Sequence, residues 1–156
     1  TYAARHCAVL FVFVFSLSAP ATTSAGDRFW INSVAGSFDD PGNWSLSSGG
    51  PRGASVPVVG DSAIFDQPET YDVTLNADAS LDELDIDAGT ITFDSSGGPH
   101  TYRLLTGPAD AVIAGANVVL DATSFNLGDD LTVNNGTMLV TGGGDVTAAD
   151  RVSIAT

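Results

Sequence analysis

The sequence predicts an all-β fold: a right-handed, single-stranded parallel β-helix (β-solenoid) with an N-terminal cap. Short bursts of alternating apolar residues follow residue 70, and this period of two is typical of short strands. From residue 26 onward no window shows the apolar stripe at i, i+3, i+4 and i+7 that marks a capped helix. The bursts lie at 71–75, 84–86, 91–93, 112–113, 118–120, 131–133, 138–140 and 152–154.

One burst also repeats at long range. The stretch DELDIDAGTITF at 82–93 aligns with DDLTVNNGTMLV at 129–140, with a constant offset of 47 residues. A third glycine, Gly115, lies between them and is again followed by an apolar strand, so we interpret 47 residues as two turns. A self-similar unit of about 20 to 50 residues that cannot bury its own apolar face is typical of a solenoid. The aligned pairs include Leu84 with Leu131, Ile86 with Val133, and Gly89 with Gly136.

The repeated glycine decides between two β architectures. In a β-helix it forms a corner whose backbone bend a β-carbon would oppose. The alternative is an antiparallel β-sandwich, in which Asn135-Gly136 would be a hairpin turn. The dipeptide aligned with it is Ala88-Gly89, a weak hairpin turn. The repeated element is therefore the glycine alone, which favours the β-helix.

Residues 1–25 read as a processing segment. Arg5 precedes an apolar run at 8–17, and small residues follow up to Ala25, where we expect cleavage. This pattern resembles a secretory signal peptide and predicts a secreted, extracellular or cell-surface protein. The run is shorter than the roughly 20 residues of a spanning helix, so we expect no transmembrane helix. Cys7 leaves with the peptide, so we expect no disulfides.

Charge restricts the partners. The chain has five Lys and Arg residues against 19 Asp and Glu, a net charge of −14. We expect neither nucleic acid nor an anionic membrane as a partner, because binding to either requires clustered cations. Most of the acids are Asp, which favours turns through local hydrogen bonds to the backbone. A solvated turn surface explains this composition, and calcium ligation is the competing explanation.

Residues 26–70 form the predicted cap segment. They lack the repeat and lie where a solenoid needs an atypical unit to cover its first open coil. We expect five apolar residues to provide that cover: Trp30, Phe38, Trp44, Ile64 and Phe65.

The β-helix rungs are predicted over 71–156. Residues 152–154 read as a strand that is just beginning, with no polar closing unit after it. We therefore expect that the sequence is truncated at its C-terminus and that the open end self-associates end to end.

The cap also carries a family resemblance. Trp30 followed by GSFDDPGNWS at 36–45 and GDSAIF at 60–65 resembles the opening of large secreted bacterial β-helix proteins. These are exported proteins of the planctomycete and PEP-CTERM type, with relatives that carry autotransporter-associated β-strand repeats. The resemblance covers about 26–154 and implies a right-handed parallel β-helix outside the cell. It brings no catalytic residues with it.

The candidate site residues are carboxylates of the repeat. Asp85 and Asp87 alternate with apolar residues and are expected to point outward, and the set recurs one repeat later. Such a stripe could bind calcium through six to eight oxygens, cleave a polysaccharide, or serve as a solubilising wall. We expect no resident cofactor and treat calcium as the open candidate. The calcium candidates are Asp82, Glu83, Asp85, Asp87, Asp129 and Asp130.

These observations predict an exported structural or adhesin-like β-helix protein of the cell surface or extracellular matrix, without catalysis. Its expected partners are extracellular polysaccharide or cell-surface components. One alternative is a fragment of a polysaccharide-active enzyme that uses Asp85 and Asp87. Another is a calcium-dependent glycan-binding module in which Trp44 and Tyr102 stack on sugars.

Overall fold

The computed structural model describes residues 26–105 and 111–155, so the predicted signal peptide at 1–25 lies outside the described residues. The chain is an all-β parallel solenoid of about four turns. The β-helix prediction is confirmed, and the antiparallel sandwich is wrong. None of the described residues belongs to a helix long and apolar enough to cross a membrane.

The described part of the chain contains sixteen short strands and one 3₁₀ turn, at Pro41–Asn43. The strands are β1 (Asp27–Trp30), β2 (Ala35–Ser37), β3 (Trp44–Ser45), β4 (Ser62–Phe65), β5 (Thr70–Leu75), β6 (Ala79–Leu81), β7 (Glu83–Ile86), β8 (Thr90–Ser95), β9 (His100–Leu104), β10 (Ala111–Ala114), β11 (Asn117–Asp121), β12 (Thr123–Leu127), β13 (Leu131–Asn134), β14 (Thr137–Thr141), β15 (Asp145–Ala148) and β16 (Val152–Ala155).

The strands form three sheets that run along the solenoid axis. The first is seven-stranded, in the order β16-β13-β10-β7-β4-β1-β3. The second is five-stranded, in the order β14-β11-β8-β5-β2, and the third is four-stranded, in the order β15-β12-β9-β6. Each complete coil contributes one strand to each sheet. Every strand pair is parallel except β1 with β3.

The register explains the repeat in the sequence. Leu84 pairs with Ala111, and Ala111 pairs with Leu131, so the residues aligned 47 apart stand in one column with a complete coil between them. The interpretation of 47 residues as two turns is confirmed. The same register places Ala116, rather than Gly115, level with Gly89.

The interior is built from the alternate residues of each strand. In β7, Leu84 and Ile86 are fully buried, whereas the residues between them face outward. Aromatic rings stack from coil to coil: Phe65 lies 5.3 Å from Phe93, and Phe93 lies 5.6 Å from Phe125, between ring centroids. Because each ring contacts the coil above and the coil below, burial depends on stacking and not on any single coil.

Solenoid strands begin earlier than residue 71. Within 26–70, β1 pairs in parallel with β4, and β2 with β5, while β3 covers the outer edge of β1. Four of the five expected covering residues, Trp30, Phe38, Trp44 and Phe65, are buried. The expectation for Ile64 is wrong: it lies on the outer face of β4, level with Asp85, because the strand alternates and Phe65 takes the inward position.

One glycine corner is sterically obligatory. Gly89 has φ +84°, and a β-carbon there would overlap the carbonyl oxygens of Gln67 and Glu69 in the preceding coil. Gly115 has a similar φ of +75°, but open space surrounds the position of its β-carbon. Comparing substitutions at these two glycines therefore separates the free-energy cost of the left-handed backbone from the free-energy cost of a steric clash between stacked coils.

We predict that Gly89→Ala destabilises the fold more than Gly115→Ala does. Both alanines have to adopt the left-handed backbone region, which costs about 1 to 2 kcal/mol. Gly89→Ala must also push two coils apart, and overpacking of this kind adds about 1 to 3 kcal/mol. Urea unfolding of the two variants measures the difference. Equal losses of stability would contradict the close stacking at this corner.

Candidate functional site

Four of the six candidate carboxylates, Asp82, Glu83, Asp129 and Asp130, lie along one edge of the solenoid, where the chain enters strands of the seven-stranded sheet. We call this edge the acidic corner. Its backbones stack from coil to coil: the amide of Asp82 donates to the carbonyl of Asp61, and the amide of Asp150 donates to the carbonyl of Asp129, at 3.0 and 3.2 Å. The acidic corner comprises Asp61, Asp82, Glu83, Asp129, Asp130 and Asp150.

In the early coils these carboxylates hold the corner together. Asp61 is 1% exposed, accepts hydrogen bonds from the amides of Gly26 and Val58, and lies 3.5 Å from a guanidinium nitrogen of Arg28. Asp82 accepts a bond of 3.0 Å from the amide of Gly60. These oxygens satisfy backbone donors at the turn, which is the use that turn aspartates ordinarily serve.

Glu83 joins neighbouring coils in the same way. One of its carboxylate oxygens accepts a 3.1 Å hydrogen bond from the hydroxyl of Ser62, the residue paired with it on β4. The carboxylates of Asp82 and Glu83 therefore have structural roles in the turns.

Three carboxylates come together at the last corner. Asp129, Asp130 and Asp150 each offer one oxygen, and these oxygens lie within 4.8 Å of one another. Arg151 donates a 2.8 Å hydrogen bond to Oδ2 of Asp130, so a cation already neutralises part of the cluster. Calcium takes six to eight oxygens, so three carboxylates supply only part of a coordination shell.

The six predicted calcium ligands do not form one site. Asp129 and Asp130 lie two coils from Asp82 and Glu83, and neighbouring strands in a sheet are about 4.8 Å apart. The two groups are therefore roughly 10 Å apart, whereas the oxygens around one calcium ion lie within about 5 Å of each other. The structure brings Asp129 and Asp130 together with Asp150.

Asp85 lies on the outer face of β7, as the alternation predicts, and Asp87 is the residue immediately after the strand. Asp87 is exposed, and Asp85 is partly buried between Ile64 of β4 and Val112 of β10. Burial, followed by the negative charges of Glu83, Asp87 and Asp27, raises the pKa of Asp85 to about 6. A carboxyl with such a pKa changes its charge near neutral pH.

The two aromatic residues expected to stack on sugars are interior. Trp44 and Tyr102 are each 0% exposed. Trp44 donates its ring N–H to the carbonyl of Phe38, and the Tyr102 ring packs edge-on against Phe93 and Phe125. The prediction that they contact glycan is wrong, because both rings serve the core.

The corner residues Asp61 and Asp150 were missed by sequence reasoning. A spacing of 21 residues separates Ser62 from Glu83 and Asp130 from Arg151, and both pairs touch. The same spacing relates Asp61 to Asp82 and Asp129 to Asp150. A search at the length of one coil, rather than two, would have placed both residues in the corner.

Comparison with known proteins adds no relative. Neither a family model nor a curated protein nor a solved structure matches the chain.

We predict that Asp85→Asn stabilises the protein at pH 7 and not at pH 4. The pKa of Asp85 is raised in the folded state, so wild-type stability falls as the pH rises from about 4 to about 6 and the carboxyl ionises. The amide removes this penalty, which we place at about 1 kcal/mol because solvent screens the partly exposed group.

Thermal unfolding at the two pH values checks the Asp85 prediction. Asp72→Asn removes the same charge from an exposed position on β5 and serves as the control. A stabilisation by Asp85→Asn that is equal at both pH values would contradict the ionisation argument.

We predict that Arg151→Gln makes the protein more responsive to calcium than wild type. The change leaves Asp129, Asp130 and Asp150 without the adjacent guanidinium, so their mutual repulsion favours a bound cation. The melting temperature, measured with EDTA and with millimolar Ca²⁺, should rise more in the variant. Adding Asp130→Asn to the variant should abolish the difference. An equal response in wild type and variant would show that Arg151 does not compete with an ion.

Proposed function

We propose that this chain is part of an exported structural or adhesin-like β-solenoid of the cell surface or extracellular matrix, and that it performs no catalysis. The observation that carries the proposal is the use of the carboxylates. Along the acidic corner, Asp61, Asp82 and Glu83 bind backbone amides and a hydroxyl within the coils. Carboxylates that are engaged within the coils in this way are structural parts of the turns, and the exposed acids outside them, such as Asp72 and Asp87, keep the solenoid soluble.

Two further features of the described residues support the same proposal. A shallow depression near the N-terminal end is lined by Leu46, Pro51, Arg52, Gly53 and Ala54, and none of these is a carboxylate, histidine or nucleophile. His100 is the single histidine among the described residues. Its Nδ1 lies 3.5 Å from a carboxylate oxygen of Asp78, and its Nε2 lies within hydrogen-bond distance of the carbonyl oxygen of Ser96. That arrangement joins the two ends of an exposed turn.

We further propose kinship with the secreted bacterial β-helix proteins of the planctomycete and PEP-CTERM type. The stretch 36–45, which carries much of the resemblance, has a structural role in this chain. Asp40 caps the 3₁₀ turn, the Asn43 side chain donates to the carbonyl of Ser37, and Trp44 is buried at the solenoid end. A motif that closes a solenoid is useful to any exported protein of this architecture.

Export can be tested with a reporter enzyme that is active only outside the cytoplasm. Residues 1–25 fused to the reporter should give activity in a bacterial host, because the segment is expected to act as a signal peptide. Replacing Val12 and Val14 by Asp should abolish that activity, since a charged run cannot serve as an apolar h-region. A reporter that stays inactive with the native segment would overturn the export proposal.

A polysaccharide-cleaving activity is the second candidate, and Asp85 favours it. Its pKa of about 6 suits a general acid, and Asp87 lies two residues further along the chain, just after β7. Two residues along a strand span roughly 6.6 Å. Side chains at this backbone spacing can bring their carboxyl groups to the roughly 6.5 to 9.5 Å separation found in inverting glycosidases.

Reducing-sugar and unsaturated-uronate assays over a panel of acidic glycans separate the two candidates. The structural proposal predicts no product from the 156-residue chain. Cleavage that is lost on Asp85→Ala or Asp87→Ala, but retained on Asp72→Ala, would overturn the structural proposal and establish the enzyme.

A further inference from the structure

Asn135-Gly136 is the one Asn-Gly pair in the sequence, and it forms the corner between β13 and β14. A glycine after an asparagine matters chemically. Because glycine has no β-carbon, its backbone nitrogen can approach the side-chain carbonyl carbon of the asparagine with little hindrance. Attack by that nitrogen is the first step of asparagine deamidation. In a folded protein the reaction depends on whether both groups are free.

Both reacting groups are free in this corner. Asn135 is exposed, and its side-chain amide makes no hydrogen bond within the described residues. The backbone N–H of Gly136 has no acceptor among those residues either. The amides on both sides are held, because Asn135 donates to the carbonyl of Ala155 and Thr137 donates to the carbonyl of Ala116. The corner therefore fixes its flanks and leaves free the amide that has to react.

The same corner position is open to solvent in the preceding coil. The pairing of β10 with β13 and of β11 with β14 places Gly115 level with Asn135. Gly115 has coils stacked on both sides, yet it is exposed, and open space surrounds the position of its β-carbon. Both residues adopt the left-handed backbone, with φ +75° and +51°. A side chain at this corner therefore points to solvent also in a coil that is covered on both sides.

The other asparagines each lack one of these conditions. Two of them, Asn126 and Asn134, are exposed, but the residue that follows each has a side chain that hinders the attack. In the remaining four the side-chain amide donates a hydrogen bond: Asn32, Asn43, Asn76 and Asn117. Asn135 alone combines a following glycine with a free, exposed side chain.

We propose that Asn135 is a site of spontaneous modification, by deamidation through a cyclic imide. The backbone nitrogen of Gly136 loses its proton to water and attacks Cγ of Asn135. The N–Cγ bond forms, the Cγ–Nδ2 bond breaks, and the side-chain nitrogen takes up a proton and leaves as ammonia. Water then opens the ring at either carbonyl carbon, which gives aspartate or isoaspartate and restores the N–H of Gly136. The proposal goes beyond the proposed function and does not depend on it.

Of the two products, isoaspartate should disturb the solenoid more. It carries the main chain through the β-carbon, so the backbone gains one carbon atom between two amides that are bonded to neighbouring coils. The corner has little room for the extra atom, since even a β-carbon on Gly136 would overlap the carbonyl oxygen of Ala116. We therefore expect isoaspartate to break a flanking hydrogen bond and to lower the melting temperature, whereas aspartate adds only a charge.

Incubation of the folded 156-residue chain at neutral and mildly alkaline pH tests the proposal. Trypsin, which cleaves after Arg103 and Arg151, then releases one peptide that contains Asn126, Asn134 and Asn135, and fragmentation in a mass spectrometer compares the three directly. We expect Asn135 to convert about tenfold faster or more than the other two. Isoaspartate should be among the products. The rate should rise with pH, because the attacking nitrogen has to lose its proton.

Asn135→Gly is the matched control, because it places at this corner the residue found one coil earlier. Its melting temperature should not fall on incubation. Gly115→Asn with Ala116→Gly builds an Asn-Gly pair between two stacked coils, and this pair should deamidate as well. The proposal is overturned if Asn135 converts no faster than Asn134, or only after unfolding in urea. It is also overturned if the pair at 115–116 stays intact in the folded variant.

Discussion

The structure depends on one constraint: each coil must place its inward side chains directly beneath those of the coil before it. No coil has enough apolar surface to form a core alone. Leu84, for example, is buried because Ala63 and Ala111 stand on either side of it in the same column. The parallel ladder that satisfies the backbone also fixes this register, so hydrogen bonding and burial cannot be optimised separately.

The constraint explains why so many acids are tolerated. Inward positions have to remain apolar, whereas outward positions and corners are open to polar residues. Asp61 and Asp82 use corner positions to bind turn amides, and Asp87 faces solvent. Asp85 is the exception, because the apolar neighbours Ile64 and Val112 partly bury it among other acids. This position raises the pKa of Asp85 to about 6.

The sequence was sufficient to predict the architecture because a strict register must leave a repeat in the residues. The recurrence of Leu84 as Leu131 reflects two coils in one column. The coil between them escaped alignment because Ala111 replaces leucine there, and because its corner glycine, Gly115, lies one residue out of step with Gly89. The alternation predicts which side chains of each strand face inward, but the repeat does not predict which residue occupies each column.

The site was less predictable than the fold, for a related reason. Alternation tells which way Asp85 and Asp87 point, but it does not tell which coils are adjacent. The sequence analysis therefore grouped Asp82 with Asp129, which lies two coils away. It missed Asp150, which is the neighbour of Asp129 in the next coil. Trp44 was expected both as a cover residue and as a sugar-stacking ring, and only the first expectation holds, because the ring is buried at the solenoid end. Tyr102 was not recognised as an interior residue, because the repeat was not traced through β9.

Engineered disulfides test the register most directly. In a Cys7→Ser background, Val112→Cys with Thr132→Cys places two thiols on adjacent strands, within the 4.4 to 6.8 Å between Cα atoms that a disulfide needs. Asp85→Cys with Thr132→Cys joins the positions 47 residues apart, which are roughly 10 Å apart across an intervening strand. The account predicts that mild oxidation cross-links the first pair and not the second. Efficient cross-linking of the second pair, or failure of the first in a folded protein, would contradict it.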